Sequence, residues 1–287
     1  MRTLDLSALR IVLLVILVAY PQAAFPTDLS AAKRALGEAE HEALAIADEY
    51  ARENALHEIA VTEAKAHDLK KALEVASEIR QQDDKNLTLL EIAETQAKAN
   101  QVLAALQTAS RISDVIDRAA AMEAIALGQL DAGDHAGALH TAKLIPIEAT
   151  RNGALMHIVI AQAQSANVKG AMETVKDIRD PLRRNMALHH IALTQTKEGD
   201  IRGALATASA IGSESSRGKT YGEIAAIQTQ RGEAAKARLW IHKLKSPVEK
   251  FSALLGVANG LLNKASVPPD APCVRPHVVN SRRDPFH

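Results

Sequence analysis

Apolar residues recur along this chain at helical spacing and are interrupted by short polar breaks. In the segment that begins at Arg184, positions 188, 191, 192 and 195 share one helical face, and Gly199-Asp200 then ends the run. A second apolar run with the same spacing extends from Ile201 to Ile211. The pattern predicts two helices joined by a tight turn, in which glycine suits a left-handed cap and Asp200 caps the second helix.

This two-helix pattern returns every 33 residues. Alanine occupies one position of each copy and a large aliphatic residue occupies another. The alanines are Ala39, Ala72, Ala105, Ala138, Ala171, Ala204 and Ala237, and the aliphatic residues are Ile46, Ile79, Ile112, Ile145, Ile178, Ile211 and Leu244. A fixed period over seven copies predicts stacked helical repeats, each of which buries its apolar face only against its neighbours.

The composition favours helices and excludes one class of partner. Aromatic residues make up only 2% of the 287 residues and alanine is abundant, which suits close helix packing better than sheets. Lysine plus arginine and aspartate plus glutamate number 34 each, so no net charge draws the chain to nucleic acid. We expect an all-α protein that does not bind nucleic acid.

The repeat resembles the tetratricopeptide repeat (TPR). The resemblance rests on Leu188, Ile191-Ala192, the Gly199-Asp200 turn, and Ala204 and Ala208 in the second helix. It covers about residues 35–264, but the period is 33 rather than the usual 34, and glutamine replaces the family's tyrosine. The resemblance implies a right-handed α-α superhelix, a TPR-like solenoid of about seven helix-turn-helix repeats.

The two ends of the chain differ from the repeats. The resemblance implies a closing helix near 250–262, and the proline-rich sequence after it predicts a disordered tail over 265–287. At the other end, arginines precede an unbroken apolar run from Ile11 to Tyr20, which is typical of a secretory signal. We expect residues 1–24 to be a signal peptide or an uncleaved N-terminal anchor, with 25–34 as a short lead-in.

This N-terminal pattern places the rest of the chain outside the cytoplasm, in the periplasm or secreted. Membrane attachment is expected only through the N-terminal segment. The oligomeric state is left open by the sequence.

The TPR family binds partners along a concave groove lined by the first helix of each repeat, and the resemblance carries this groove to specific positions. Those positions are Leu87, Leu90, Glu94, Glu123, Leu127, Leu130, Met156, Ile160, Met186, His189, Leu193, Lys219 and Ala226. The apolar ones either receive a protein or peptide partner or pack against the neighbouring repeat, and the sequence leaves both readings open. Gly153 and Gly222 fall on the same predicted face, where the missing side chain leaves room for a partner to approach the backbone closely.

Two polar positions also repeat every 33 residues. A cation stands at Arg52, Lys85, Arg118, Arg151, Arg184, Arg217 and Lys250, and glutamine stands at 96, 129, 162, 195 and 228. The cations either form a row that grips an anionic polymer or cap the preceding helix end, and helix capping is favoured. We expect the glutamines to bridge adjacent repeats by amide hydrogen bonds.

Motifs for catalysis are missing or incomplete. His41-Glu42 and His57-Glu58 each begin a zinc-protease motif, but Ala45 and Val61 stand where the second histidine is required. His157 and His190 occupy equivalent positions without a third ligand nearby, and Cys273 has no oriented base. We therefore expect no enzyme activity, no metal and no cofactor.

The sequence favours a non-catalytic exported scaffold or adaptor that binds a protein or peptide in the first-helix groove. The alternative is an accessory docking subunit of an envelope carbohydrate-handling or secretion complex. The scarcity of aromatic residues argues against direct sugar binding.

Overall fold

The structure, a computed structural model, describes residues 28–265. Within that range it contains fourteen α-helices, one 3₁₀-helix at Val175–Asp177 and no strand, so the all-α prediction is confirmed. The helices are α1 (Asp28–Ala45), α2 (Glu49–Lys65), α3 (Leu69–Glu78), α4 (Gln82–Lys98), α5 (Val102–Ala109), α6 (Val115–Asp131), α7 (His135–Lys143), α8 (Glu148–Gln164), α9 (Val168–Thr174), α10 (Pro181–Glu198), α11 (Ile201–Ser209), α12 (Glu214–Gln230), α13 (Ala234–Ile241) and α14 (Pro247–Ala265).

The helices alternate between long and short with the period of the sequence. The long ones, called first helices, are α2, α4, α6, α8, α10, α12 and α14, and their first residues are 33 positions apart. The short ones, called second helices, are α3, α5, α7, α9, α11 and α13, and they start with the same spacing. Six helix pairs therefore lie between α1 and α14, whereas the sequence predicted about seven.

The terminal helices account for this difference. Helix α1 is one continuous helix that begins inside the predicted lead-in, and Ala39, which starts the alanine series, is exposed on it. Helix α14 extends the predicted closing helix at both ends and begins with Pro247, a residue that suits the first helical turn. The predicted tail begins one residue too early, because Ala265 is the last residue of α14, and the rest of the tail and residues 1–24 lie outside the described residues. Among the helices of residues 28–265, none combines the length and the apolar composition that a membrane span requires.

The chain divides into two compact units, the first ending at Ala154 and the second beginning at Leu155. In both units, the repeated alanine and isoleucine positions form the core. The buried residues at these positions are Ala72, Ala105, Ala138, Ala171, Ala204, Ala237, Ile79, Ile112, Ile145, Ile178 and Ile211. Small and branched side chains thus alternate in the interior, which allows helices to pack closely without aromatic residues.

The turn between paired helices has the same geometry in all six pairs. One residue per pair has a positive φ, and these residues are His67, Asn100, Gly133, Ala166, Gly199 and Gly232. After Gly133 and Gly199, the aspartate Oδ1 accepts a hydrogen bond from the backbone N–H three residues later, at 2.8 Å in both turns. The predicted Gly-Asp turn is confirmed.

Six of the seven repeated cations donate to a carbonyl at the end of the preceding helix, including Lys85 to Ser77 at 2.9 Å, which confirms the capping interpretation for these six. Four arginines donate through Nη1 to the carbonyl oxygen of the repeated isoleucine six residues earlier, and Arg184 donates to Ile178 through Nε at 2.8 Å. The Nη1 pairs are Arg52 with Ile46 (3.0 Å), Arg118 with Ile112 (2.7 Å), Arg151 with Ile145 (2.6 Å) and Arg217 with Ile211 (2.5 Å). Because these isoleucine carbonyls follow the end of a helix, α1 for Ile46 and a second helix for the others, the cations complement its negative end.

The prediction that the glutamines bridge adjacent repeats is wrong where the structure shows their hydrogen bonds. The Oε1 atoms of Gln129 and Gln195 accept from the hydroxyls of Thr141 and Thr207, at 2.7 Å in both cases. Each threonine lies on the second helix of the same pair, twelve residues after its glutamine. The glutamines therefore join the two helices of one repeat, inside the core, rather than two repeats.

Candidate partner-binding surface

None of the thirteen predicted groove residues is fully buried. Leu87, Met186 and Lys219 are exposed, and the other ten are partly exposed. These residues all lie on first helices, but they belong to the two units separately. The positions taken over from the TPR resemblance therefore remain accessible to a partner to different degrees.

In the first unit, some of the predicted groove residues are exposed to solvent and others pack against the core. The Leu87 side chain on α4 is 48% exposed, whereas Leu90, one turn later, packs against the buried core. Glu94 pairs with Lys98 at 3.9 Å.

Gly153 offers limited space, because a Cβ there would lie 3.2 Å from the Glu123 carboxylate. The apolar residues Leu127 and Leu130 are partly buried.

In the second unit, Met156 and Ile160 on α8 are partly buried, and Leu193 on α10 packs against the core. Three other predicted residues, Met186, His189 and Lys219, line one cleft between α10 and α12. Its volume is about 110 Å³ and its remaining lining residues are Leu182, Asn185 and Ser216. Leu182 and Met186 are both exposed, so apolar surface is open to solvent in this cleft.

The sequence did not single out Leu182, Asn185 or Ser216. Leu182 could have been found, because it lies one helical turn before Met186, and residues four apart share a helix face. Asn185 and Ser216 gave no such signal. Asn185 Oδ1 accepts from the backbone N–H of Gly212 at 3.0 Å, which fixes this wall of the cleft.

A second, shallower cleft lies between α12 and α14. It has a volume of about 350 Å³, and its lining includes the predicted residues Lys219 and Ala226 together with Glu223, Ser252 and Asn259. Gly222 borders this cleft, but a Cβ on Gly222 would lie 2.8 Å from the carbonyl oxygen of Ser252. The missing side chain at 222 therefore admits the backbone of α14 rather than a ligand.

The His189 side chain is held at the edge of the first cleft by two groups on α12. Its Nδ1 lies 2.9 Å from Thr220 Oγ1, and that hydroxyl donates its proton to the Ser216 carbonyl at 2.8 Å. Because the hydroxyl proton of Thr220 is used in this bond, Nδ1 of His189 is the donor to Thr220 Oγ1. In the neutral ring Nε2 then carries no proton, and it lies 3.5 Å from a carboxylate oxygen of Glu223.

Burial lowers the pKa of the His189 imidazole below its usual 6.5. Glu223 acts in the opposite direction, while His190 and Lys219 add to the lowering. The neutral ring is thus favoured, and its Nε2 is an acceptor at the rim of the cleft.

The same arrangement occurs in the first unit, four repeats earlier. His57 Nδ1 lies 2.9 Å from Thr88 Oγ1, which donates to the Asp84 carbonyl, and His57 Nε2 lies 3.5 Å from Glu91. In both places the threonine follows the histidine by 31 residues and the glutamate follows by 34. Sequence reasoning missed this trio, although the shared spacing was available as a signal.

Metal-binding geometry is absent from residues 28–265, where no group of three or more His, Cys, Asp or Glu side chains could hold an ion. The rings of His189 and His190 make an edge-to-face contact with centroids 5.6 Å apart, and His157 is exposed. Cys273 lies outside the described residues. The expectations of no metal, no cofactor and no enzyme activity stay predictions.

No protein-family model matches the chain, and no curated protein sequence matches it. It is similar to one solved structure, the crystal structure of Ton1535 from Thermococcus onnurineus NA1, with 16% sequence identity and a TM-score of 0.32. The similarity covers 77% of this chain and 83% of that chain. Because this TM-score is low, the similarity supports no conclusion about fold or function, and the TPR resemblance still rests on the sequence.

Proposed function

We propose that this protein is a non-catalytic scaffold or adaptor that binds a protein or peptide on the exposed face of its first helices. The observation that carries the proposal is the cleft between α10 and α12. Three residues predicted from the TPR resemblance, Met186, His189 and Lys219, line it together with exposed Leu182. Apolar side chains that remain in water beside polar groups are typical of peptide-binding surfaces.

The chemistry of the cleft suits one apolar anchor of a partner. Its volume of about 110 Å³ is below the roughly 150 Å³ of an apolar cavity that holds benzene, so it suits a single side chain rather than a whole helix. Met186 is flexible and polarizable, which lets it adjust to such an anchor. Lys219 and the Nε2 atom of His189 supply a cation and an acceptor at the rim, and these would fix the partner's orientation.

Export from the cytoplasm is part of the same proposal. Support comes from the charged and apolar pattern of residues 1–24, which are outside the described range. The partner is then expected in the periplasm or outside the cell. Fractionation of cells that express the full chain tests this part, since recovery in the cytoplasm alone would refute it.

Site-specific photocrosslinking tests the binding surface. A photoreactive residue is placed at Met186, whose side chain is 44% exposed on α10, and in a matched variant at Leu239, which is 68% exposed on second helix α13. We expect Met186 to yield a discrete crosslinked protein or peptide and Leu239 to yield none of it. Equal products from both positions, or none from Met186, would count against a first-helix binding face.

A further inference from the structure

Helix α14 has one buried face of small side chains and one exposed face of mostly large apolar side chains. One face packs on α12 through small residues, and its buried members are Ala253, Gly256, Val257 and Gly260. The other face, here called the outer face, is formed by Val248, Phe251, Leu254, Leu255, Ala258, Leu261 and Leu262. All seven are exposed, Phe251 to 66% and Leu262 to 67%. A terminal helix that faces water normally carries a polar outer surface, and this one does not.

On the preceding first helices, the positions equivalent to Leu254, Ala258 and Leu261 are largely buried, whereas those equivalent to Val248 are exposed. At the position of Leu261, the six earlier first helices carry a buried glutamate or glutamine, and Gln129 and Gln195 bond there to their own second helices. At the position of Phe251, Asn86 and Asn185 accept backbone N–H groups that follow the second helix. In α14 both positions hold large apolar side chains, Leu261 in place of a glutamine or glutamate and Phe251 in place of an asparagine, glutamate, alanine or glycine.

The outer face also follows a heptad pattern. Val248, Leu255 and Leu262 follow one another at intervals of seven residues. Phe251 lies three residues after Val248, and Ala258 lies three residues after Leu255. Leu254 and Leu261 lie beside this row of five residues. Apolar residues with this alternating spacing of three and four are the pattern by which one helix pairs with another in a coiled coil. The pattern spans the described length of α14.

We propose that the outer face of α14 pairs with the same face of a second copy of this chain. A two-fold axis places identical surfaces together, and the seven positions contain no charged residue that would repel its copy. With the large side chains about half exposed, the face presents roughly 500 Å² of apolar surface per copy, a large part of the roughly 800 Å² per partner in stable interfaces.

The segment that follows α14 is a poorer occupant. In sequence, Pro268, Pro269 and Pro272 follow α14 closely, and prolines at this spacing oppose a further helix that could cover the face as α13 covers α12. The proposed binding cleft between α10 and α12 is a different surface. Leu255 borders the cleft between α12 and α14, so the test uses Phe251 and Leu262 instead.

Two differently tagged copies of the full chain, expressed together with a photoreactive residue at Leu262, test the proposal. We expect a product that carries both tags and has twice the mass of the single tagged chain, and no such product from Leu239. Phe251→Glu should reduce this product at least tenfold, whereas Phe251→Leu should retain it. Circular dichroism of Phe251→Glu shows whether the helices remain.

Other outcomes overturn the proposal. A crosslink within one chain would assign the outer face to another segment of that chain, and a crosslink only to a different protein would assign it to a heterologous partner. Equal yields of the two-tag product from Leu262 and Leu239 would show random encounter. If the crosslink from Met186 persists in Phe251→Glu, the binding cleft and the outer face of α14 act independently. Loss of the two-tag product then refutes the pairing of α14 without refuting the proposed function.

Discussion

Gly256 on α14 lies against the carbonyl oxygen of Gly222 on α12, so closely that a side chain at position 256 would overlap this oxygen. Gly260, one turn later, approaches the carbonyl of Ala226 in the same way, with 2.7 Å from a Cβ built there. Glycines thus bring α14 onto α12 backbone to backbone. This contact positions both the shallow cleft and the outer face of α14.

Gly256→Ala is therefore expected to force α14 away from α12. Because the obstacle is backbone rather than a flexible side chain, we expect a loss of about 1–3 kcal/mol in the free energy of unfolding and faster amide hydrogen exchange in α14. Gly37→Ala in α1 is the control, since nothing lies within 4 Å of a Cβ there, and it should stabilise by about 0.5–1 kcal/mol. Similar effects of the two changes would contradict this account of the contact.

Ala166 occupies the left-handed turn position that glycine holds at 133, 199 and 232, and its φ is 59°. This conformation costs a residue with a Cβ about 1 kcal/mol, so Ala166→Gly should raise the free energy of unfolding by up to that amount. The reverse change, Gly199→Ala, should lower it by a similar amount, because the φ at 199 is 95°. Urea unfolding curves check both, and a destabilised Ala166→Gly would refute the expected strain.

Thr207 and Thr108 occupy the same buried position but differ in bonding. Thr207 Oγ1 donates to Gln195 at 2.7 Å, whereas Thr108 Oγ1 has no hydrogen-bond partner among the described residues. Thr207→Val should cost about 1–3 kcal/mol, because it leaves the buried Gln195 oxygen unpaired. Thr108→Val should be neutral or stabilising, and equal losses would disprove the assigned bonding.

His189 should make stability depend on pH. Since its pKa in the folded chain is below the usual 6.5, the unfolded chain binds more protons between these two values. The contribution of His189 to stability is therefore full above about pH 6.5 and is lost as the pH falls towards the folded pKa. An NMR titration should give a pKa below 6.5, and Glu223→Gln should lower it further because Glu223 favours the charged ring. A pKa at or above 6.5 would contradict this environment.

Sequence periodicity was sufficient for much of the fold, because the helix boundaries depend on local signals. Gly199-Asp200 forms the predicted turn, and the repeated alanines and isoleucines are buried as second-helix packing residues. The glutamine partners were not predictable, since a period of 33 specifies which residues are equivalent but not what each one contacts. Only the structure shows that Gln195 reaches Thr207 in its own repeat.

The candidate site was predictable to a smaller extent. Helical spacing and the family resemblance placed Met186, His189 and Lys219 on one surface, and they line a common cleft. How far each position is exposed depends on the approach of neighbouring helices, which the sequence does not encode locally. Leu90 and Leu193 consequently pack against the core, while Gly222 accommodates α14.

The most direct test of the proposed function is the dissociation constant of the partner captured at Met186, measured for matched charge substitutions. Met186→Glu places a charge in the cleft, whereas Leu239→Glu places one at an exposed apolar residue of a second helix. We predict that Met186→Glu weakens binding at least tenfold, about 1.4 kcal/mol, and that Leu239→Glu leaves it within about twofold of the unmodified chain. Equal affinities for both variants would contradict binding at the first-helix face.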